Sequence, residues 1–548
     1  MNVSVLNVSI LNEIKGKEKG KTMPADRRDF LKKTALLTLG AALPNVLDSA
    51  SAKYAGTKPL PDVSWRKLPR WRGFNLLEKF NGRNTRFLED DFRMISDLGF
   101  NFVRLPMDYR MWITDGDWRK FDEKTLREID EAIAWGEKYG IHTMVNFHRA
   151  PGYTVAKPQE EKLVWESEEA LDVCALHWRT FAKRYAGIPE KNLSFNLFNE
   201  PSNVELAPFM KVHRTLCDAI RAEDPKRLII CDGMSWGTKP TMELAELQVA
   251  QATRGYMPME ISHYRASWVG EYLRDMKDPP QWPSVLATGG TIFYPGKAGI
   301  REEQKSPTIF RLAPQCGTGL FRIRIRQVSS FARFVAEAVN ADGKVTSTLF
   351  DREYRPGPGT GDWTEVIHKP EWNCFQNIYH KDETFSVPAG TAAVQLRVTS
   401  GDWLSIEEAG FRCDAVPQET VQKISSDWNS PAMEMAFCIQ NGRGFWDGLE
   451  KRDAKWHWKN YVEPWKQWER FGGVMVGEFG AYNQTPHETV LAWLRDLMSN
   501  WKKAGWGWAM WNFRGSLGVM ESGRSDVQYV NWHGLKMDRK MMDLLQEF

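Results

Sequence analysis

Strand-like and helix-like stretches alternate eight times along this chain, and that alternation leaves few folds open. Apolar runs suited to buried strands lie at 71–77, 101–109, 141–152, 193–198, 227–237, 259–264, 472–480 and 506–513. Amphipathic helical patterns follow them at 87–98, 122–139, 167–185, 209–222, 241–252, 446–471, 488–504 and 539–548. Asp122 stands at a helix cap, and Gly99 and Gly140 stand at helix stops. Strands buried on both faces read as near-continuous apolar runs, as these do. Eight such units predict an α/β protein, a closed parallel (β/α)₈ TIM barrel. An open doubly wound sheet would want a Gly-rich phosphate loop after the first strand, and none follows 71–77.

Two glutamates end buried runs. In NLFNEP (196–201) the run stops at Asn199-Glu200-Pro201, since Pro201 cannot continue a ladder. In GGVMVGEFG (472–480), Val474, Met475 and Val476 lead into Glu478. Catalytic groups of a barrel sit at the carboxyl ends of its strands, and paired carboxylates are what glycosidic cleavage needs. A retaining mechanism sets them about 5–5.5 Å apart, one ionised and one protonated.

The rhythm breaks between strands six and seven. Phe321, Ile323 and Ile325 alternate with Arg322, Arg324 and Arg326, and Val394, Leu396 and Val398 alternate with Gln395 and Arg397. Asn340-Ala341-Asp342-Gly343 and Pro388-Ala389-Gly390 read as turns. The pattern predicts an antiparallel β-sandwich over 289–414, inserted after strand six and flanked by linkers at 277–284 and 416–431. It is read either as a carbohydrate-binding module or as an embellishment without a ligand. The barrel then spans 53–288 and 415–548.

Composition narrows the function. Charge is nearly balanced at +3, with 26% charged residues, so no strong field favours nucleic acid or anionic lipid. Tryptophan is abundant, 25 against 14 tyrosines, which supplies core and also flat platforms for stacking on sugar rings. The seven cysteines show no CxxC pair and no metal-ligand spacing, so neither a disulfide framework nor a metal site is expected. Cys174, Cys217 and Cys231 read as small buried hydrophobes. No apolar run reaches the length of a membrane span. At the amino terminus, Asp26-Arg27-Arg28-Asp29-Phe30-Leu31-Lys32 precedes a short apolar stretch and Ala50-Ser51-Ala52. Residues 1–52 are expected to be a twin-arginine export signal, with Met23 a possible start.

The motifs RGFN (72–75), GFNFVRLP (99–106), NFHRAPG (146–152), NLFNEP, SHY (262–264), VGEFG (476–480) and the strand of Trp511 occur in this order, each at its own strand end. In them the chain resembles a family 5 glycoside hydrolase, a retaining (β/α)₈ group that includes many cellulases. The resemblance covers about 70–270 and 432–548. It implies Glu200 as general acid/base and Glu478 as nucleophile, with Asn199 holding the sugar 2-hydroxyl. Arg104 would bond the nucleophile, His148 and His263 would line the cleft, and Trp511 would stack beneath the sugar. Members usually carry His-x-Tyr at strand six, whereas Tyr264 directly follows His263 here. Neighbouring strand residues face opposite ways, so the reach of Tyr264 to Glu478 is open. The expected activity is hydrolysis of β-1,4-linked glucan by an exported monomer without a cofactor. Mannan, xyloglucan or a short oligosaccharide remain open as substrates. A non-catalytic polysaccharide-binding protein would have lost one of the glutamates, and both are present.

Overall fold

The computed structural model describes residues 59–548, apart from 427 and 429. The expected export signal lies outside the described residues. Eight parallel strands close a barrel: β1 (Arg72–Asn75), β2 (Phe102–Asp108), β3 (His142–Ala150), β4 (Leu193–Asn196), β5 (Leu228–Asp232), β6 (Ala250–Gly255), β7 (Val474–Phe479) and β8 (Gly507–Met510). Each pairs in parallel with its successor, and β8 pairs with β1. Helices α1 (Glu89–Asp97), α2 (Glu123–Lys138), α3 (Glu168–Arg184) and α4 (Leu206–Glu223) follow β1 to β4, and α5 (His487–Ala504) and α6 (Arg539–Glu547) follow β7 and β8. Local chemistry starts them: the Asp122 side chain accepts from the Lys124 and Thr125 amides at α2, and Ser167 accepts from Ala170 at α3.

A small core fills the barrel with Trp71, Phe102, Met144, Ile230, Ala252 and Met475. A larger one lies between strands and helices. Nine tryptophans, among them Trp112, Trp178, Trp493 and Trp508, are fully buried. Trp178 stacks on Phe147 with ring centroids 3.8 Å apart. Much of the tryptophan excess is therefore packing. Cys174, Cys217 and Cys231 are buried and free.

Strand six differs from the sequence expectation. The stretch 241–252 holds a 3₁₀ turn, Met242–Leu247, and the first residues of β6, while Met259–Ser262 forms a single helical turn. The reason is polar content. β6 reads AQATRG, so it lacks the apolar run of a buried strand. Its polar side chains have particular partners instead: the Gln251 amide bonds both backbone groups of Thr241. The Pro258 carbonyl accepts from the Ile261 and Ser262 amides, which closes the turn where a strand was expected.

A second compact unit, Pro283–Asp453, follows β6 in the chain. It is wider than the expected 289–414, because Ser284–Thr288, Glu434–Gln440, Arg443–Asp447 and Glu450–Arg452 belong to its 12-stranded sheet. The expected linker 416–431 contains the strand Val416–Ser425, antiparallel to the end of Ala393–Cys413. Pro417 and its polar neighbours give it a linker-like composition, but Val416 and Ile424 are buried. Gly319–Val339 and Ala393–Cys413, each 21 residues long, pair antiparallel with several register shifts. Such bulges bend a strand. Phe321, Phe385, Leu396, Phe411 and Phe437 form the unit's own core. Arg322 and Arg324 point outward to Asp382 and Glu419. Ser284–Thr288 runs antiparallel to Glu450–Arg452, with Ser284 opposite Arg452, so the chain enters and leaves this unit side by side. Between the unit and β7, residues 454–468 are helical.

Candidate active site

Both glutamates are buried at the carboxyl end of the barrel, Glu200 with 5% and Glu478 with 3% of its surface exposed. β4 ends at Asn196, and the chain turns so that Glu200 has φ +52°, a left-handed conformation uncommon outside glycine. Two bonds hold that turn. The Tyr153 hydroxyl donates to the Glu200 carbonyl at 2.7 Å, and the Glu200 amide donates to Asp232 Oδ2 at 2.8 Å. Glu478 is placed differently. β6 and β7 pair Val476 with Thr253 and then Glu478 with Arg254, so Gly477 is bulged out. A β-carbon on Gly477 would lie 2.9 Å from Arg254 Nη1. The bulge aims Glu478 across at Arg254, and the missing side chain leaves room for the guanidinium.

Two guanidiniums organise the carboxylates. Arg104, fully buried on β2, donates from Nη1 to Glu478 Oε1 at 2.5 Å and to Asn75 Oδ1 at 3.0 Å. Its Nη2 reaches Asn196 and Asn199 at 3.1 and 2.9 Å. Arg254 donates from Nε to Glu200 Oε1 at 2.9 Å and from Nη2 to Asn199 Oδ1 at 2.9 Å. The same Nη2 bonds Asp232 and lies 3.3 Å from Glu478 Oε1. The Tyr256 hydroxyl donates to Glu478 Oε2 at 3.2 Å. Both Glu478 oxygens therefore accept hydrogen bonds, the role of an ionised carboxylate.

Environment separates the two carboxyls. Burial, then the charges of Glu478 and Asp232, push Glu200 up to about 8, against the pull of Arg254. This environment favours the protonated form of Glu200, as an acid needs. Burial opposes the charge on Arg254, yet Asp232, Glu478 and Glu200 together hold it above the ordinary arginine value. Burial and the Glu478 charge raise Tyr256 well above the usual phenol range, so it stays a donor.

The remaining sequence candidates divide. Asn199 joins the pair. With its Oδ1 held by both arginines, Nδ2 is left to donate to a ligand. His148 packs beside Trp511, centroids 5.4 Å apart, and both rings meet Phe80. Burial and the charges of Arg104 and Arg254 hold His148 well below its ordinary value, so it is a neutral imidazole. Trp511, just past β8, is half-buried. His263 packs edge-on to Tyr256 at 5.1 Å, and burial lowers it to about 4. Tyr264 does not join the site: its hydroxyl donates to the Lys277 carbonyl at 3.2 Å. The phenol on Glu478 belongs to Tyr256, because the strand ends at Gly255 and not in the SHY motif.

Asp232, Arg254 and Tyr256 were not singled out from the sequence. The rule that found the glutamates would have found the first two, since each is a charged residue at the carboxyl end of a buried strand. Asp232 ends β5, and Arg254 was hidden by the displaced reading of β6.

Known proteins resemble the chain in the same region. Residues 62–258 match the family described as cellulase (glycosyl hydrolase family 5); Glu200 lies within this match and Glu478 beyond it. Endoglucanase C of Acetivibrio thermocellus is 27% identical over 228 residues, 41% of this chain and 62% of that relative. Endoglucanase 3 of Fibrobacter succinogenes is 25% identical over 271 residues, 45% of this chain and 40% of that relative. The chain thus spans about three fifths of the first relative's length and less of the second's. A crystal structure described as a glycoside hydrolase superposes with a TM-score of 0.53 at 23% identity, covering 87% of this chain and 99% of its own, which shows the shared fold. The closed barrel and the match over 62–258 support a family 5 glycoside hydrolase.

Proposed function

We propose that this protein hydrolyses β-1,4-linked glucan with retention of anomeric configuration. The observation that carries the reading is the buried carboxyl pair on one guanidinium, with both Glu478 oxygens accepting and with burial favouring the protonated form of Glu200. In the first step Glu478 attacks the anomeric carbon, the glycosidic bond breaks, and the departing oxygen takes the proton of Glu200. Oε1 is held by Arg104 and approached by Arg254, so Oε2, held by Tyr256, is the freer oxygen for attack. In the second step Glu200, now a base, takes a proton from water, which displaces Glu478 from the sugar. Asn199 Nδ2 is placed to hold the 2-hydroxyl, and Trp511 with His148 offers a surface for the sugar ring.

The endoglucanase relatives support glucan over mannan, xyloglucan or a short oligosaccharide. Following the anomeric proton of the first product by NMR, on a panel of β-glucans and β-mannans, tests both halves of the proposal. A β-anomer from β-glucan is expected. An α-anomer would remove the retaining mechanism, and preferred cleavage of mannan would change the substrate. Export by the twin-arginine route is part of the proposal and rests on Arg27 and Arg28 in their sequence context. Replacing both by lysine should leave precursor in the cytoplasm, and normal export would count against that route.

One observation favours a glycan-binding role for residues 283–453. Trp428 is half exposed and meets Trp403 edge-on at 4.5 Å and Phe293 at 5.7 Å. An exposed indole braced by buried rings is a platform for a sugar face. Retardation of the 283–453 fragment in a β-glucan gel, lost in Trp428→Ala, would support this role; equal mobility with and without glucan would remove it.

A further inference from the structure

We infer that Arg254 is a positioning residue that carries the charge exchange between Glu200 and Glu478 during the reaction. The inference rests on the retaining mechanism proposed above. Its basis is geometric. One guanidinium donates to Glu200 at 2.9 Å, stands 3.3 Å from Glu478, and is anchored by Asp232 on β5 and by Asn199. Its slot is shaped for it: Gly477 leaves space at Nη1, and a β-carbon on Gly237 would sit 3.1 Å from its Cγ.

The charges around Arg254 come from several elements. Glu200 follows β4, Asp232 ends β5, Tyr256 follows β6, Glu478 lies on β7, Arg104 comes from β2 and His148 from β3. With His148 and Tyr256 neutral and Glu200 protonated, the two cations Arg104 and Arg254 face the two anions Asp232 and Glu478. When the sugar is bonded to Glu478, that anion becomes a neutral ester and Glu200 has given its proton to the leaving group. The cations then face Asp232 and Glu200. The cluster stays neutral at both stages, because the negative charge passes from one contact of Arg254 to another. A buried site in which the charge had no fixed partner at one stage would bear a desolvation cost at that stage.

Arg104 serves Glu478, but among the described contacts only Arg254 reaches both carboxyls. Removing its charge should therefore act on Glu200 even while Glu478 keeps Arg104. In Arg254→Ala, Glu200 loses an adjacent cation and still faces Asp232. The basic limb of kcat/KM, which reports the acid of the free enzyme, should move up by about one pH unit or more. Asp232→Asn removes an anion, so the same limb should move down. Arg254→Lys, which keeps the charge, should return the limb towards the wild-type position while leaving kcat reduced. A ¹³C-carboxyl NMR titration of the resting enzyme, with the Glu200 signal assigned by its loss in Glu200→Gln, reads the same shifts without turnover.

Opposite shifts in Arg254→Ala and Asp232→Asn, with recovery in Arg254→Lys, are the expected result. Unmoved limbs and an unmoved Glu200 signal in folded variants would overturn the inference. If Arg254→Ala does not fold, the Asp232→Asn shift and the Arg254→Lys limb decide alone. Failure of the parent proposal looks different: the wild type would not cleave glycosides, whereas the NMR shifts would still appear.

Discussion

At the residue scale, Glu200 and Glu478 have different neighbours, and the different roles proposed for them rest on that difference. Glu478→Gln and Glu200→Gln are each expected to lower kcat on polymer by at least about a hundredfold. Azide should restore turnover of an activated glycoside in Glu200→Ala, through a glycosyl azide product. The elevated position of Glu200, about 8, fixes a sign for stability as well. An unfolded glutamate titrates near 4.3, so the folded state holds this proton more tightly. That contribution is complete at low pH and is lost as pH rises through about 8. Thermal melts of wild type and Glu200→Gln should therefore diverge above about pH 5, with the wild type falling more steeply. Parallel melting curves across that range would mean that Glu200 is not held protonated. The residues that sequence reading passed over show its limit at this scale. Asp232 bonds the Glu200 amide and Arg254 meets both glutamates, the second of them across the bulge at Gly477, and no local pattern records which strand lies across from which.

At the element scale, apolar runs and caps were enough for β1 to β5, for β7 and β8, and for α1 to α4. Asp122 announced its helix in the sequence and caps it in the fold, where Ser167 caps α3. β6 was not legible, because its polar side chains are matched by Thr241, Glu200 and Asn199, partners distant in sequence or hidden in loops. The same lesson holds for tryptophan. Its abundance points to sugar platforms and packing alike, and only the structure separates half-buried Trp511 from buried Trp178. Trp178 on α3 fills the space against Phe147 and Phe195. Trp178→Ala should lower the unfolding free energy of the barrel by about 3–5 kcal/mol, measured by urea denaturation. A cost under about 1 kcal/mol would mean that the layer between β3 and α3 can collapse around the gap.

At the scale of the whole molecule, the barrel's cores and the core of the second unit share no residues among those described. The alternation of Arg322 to Arg326 exposed the second unit in sequence, but its ends were misplaced. Its closing strands, 434–452, look like a continuation of the tryptophan-rich helix that begins at 454. Joining Trp282 to Ala454 by a short Gly/Ser link should leave a folded barrel, since every barrel strand pairs with another barrel strand. If residues 283–453 bind glycan, the shortened enzyme should keep its rate on small chromogenic glycosides and lose performance on polymer. Loss of both rates together would assign that unit a role in the barrel's own chemistry.

The side-by-side entry and exit of that unit, Ser284 opposite Arg452, has a kinetic meaning. β6 and β7 must find each other across the whole second unit before the barrel can close. If the unit folds first, its paired ends shorten the effective loop by roughly two doublings, which lowers the entropy of closure by about 1.2 kcal/mol. The sandwich then acts as a clasp on its host. A substitution that unfolds it, such as Phe321→Asp, should slow barrel refolding by somewhat under tenfold and leave the unfolding rate of the barrel unchanged. Stopped-flow tryptophan fluorescence of the full chain and of the shortened barrel would separate these rates, and equal refolding rates in Phe321→Asp and wild type would show that closure does not wait for the clasp.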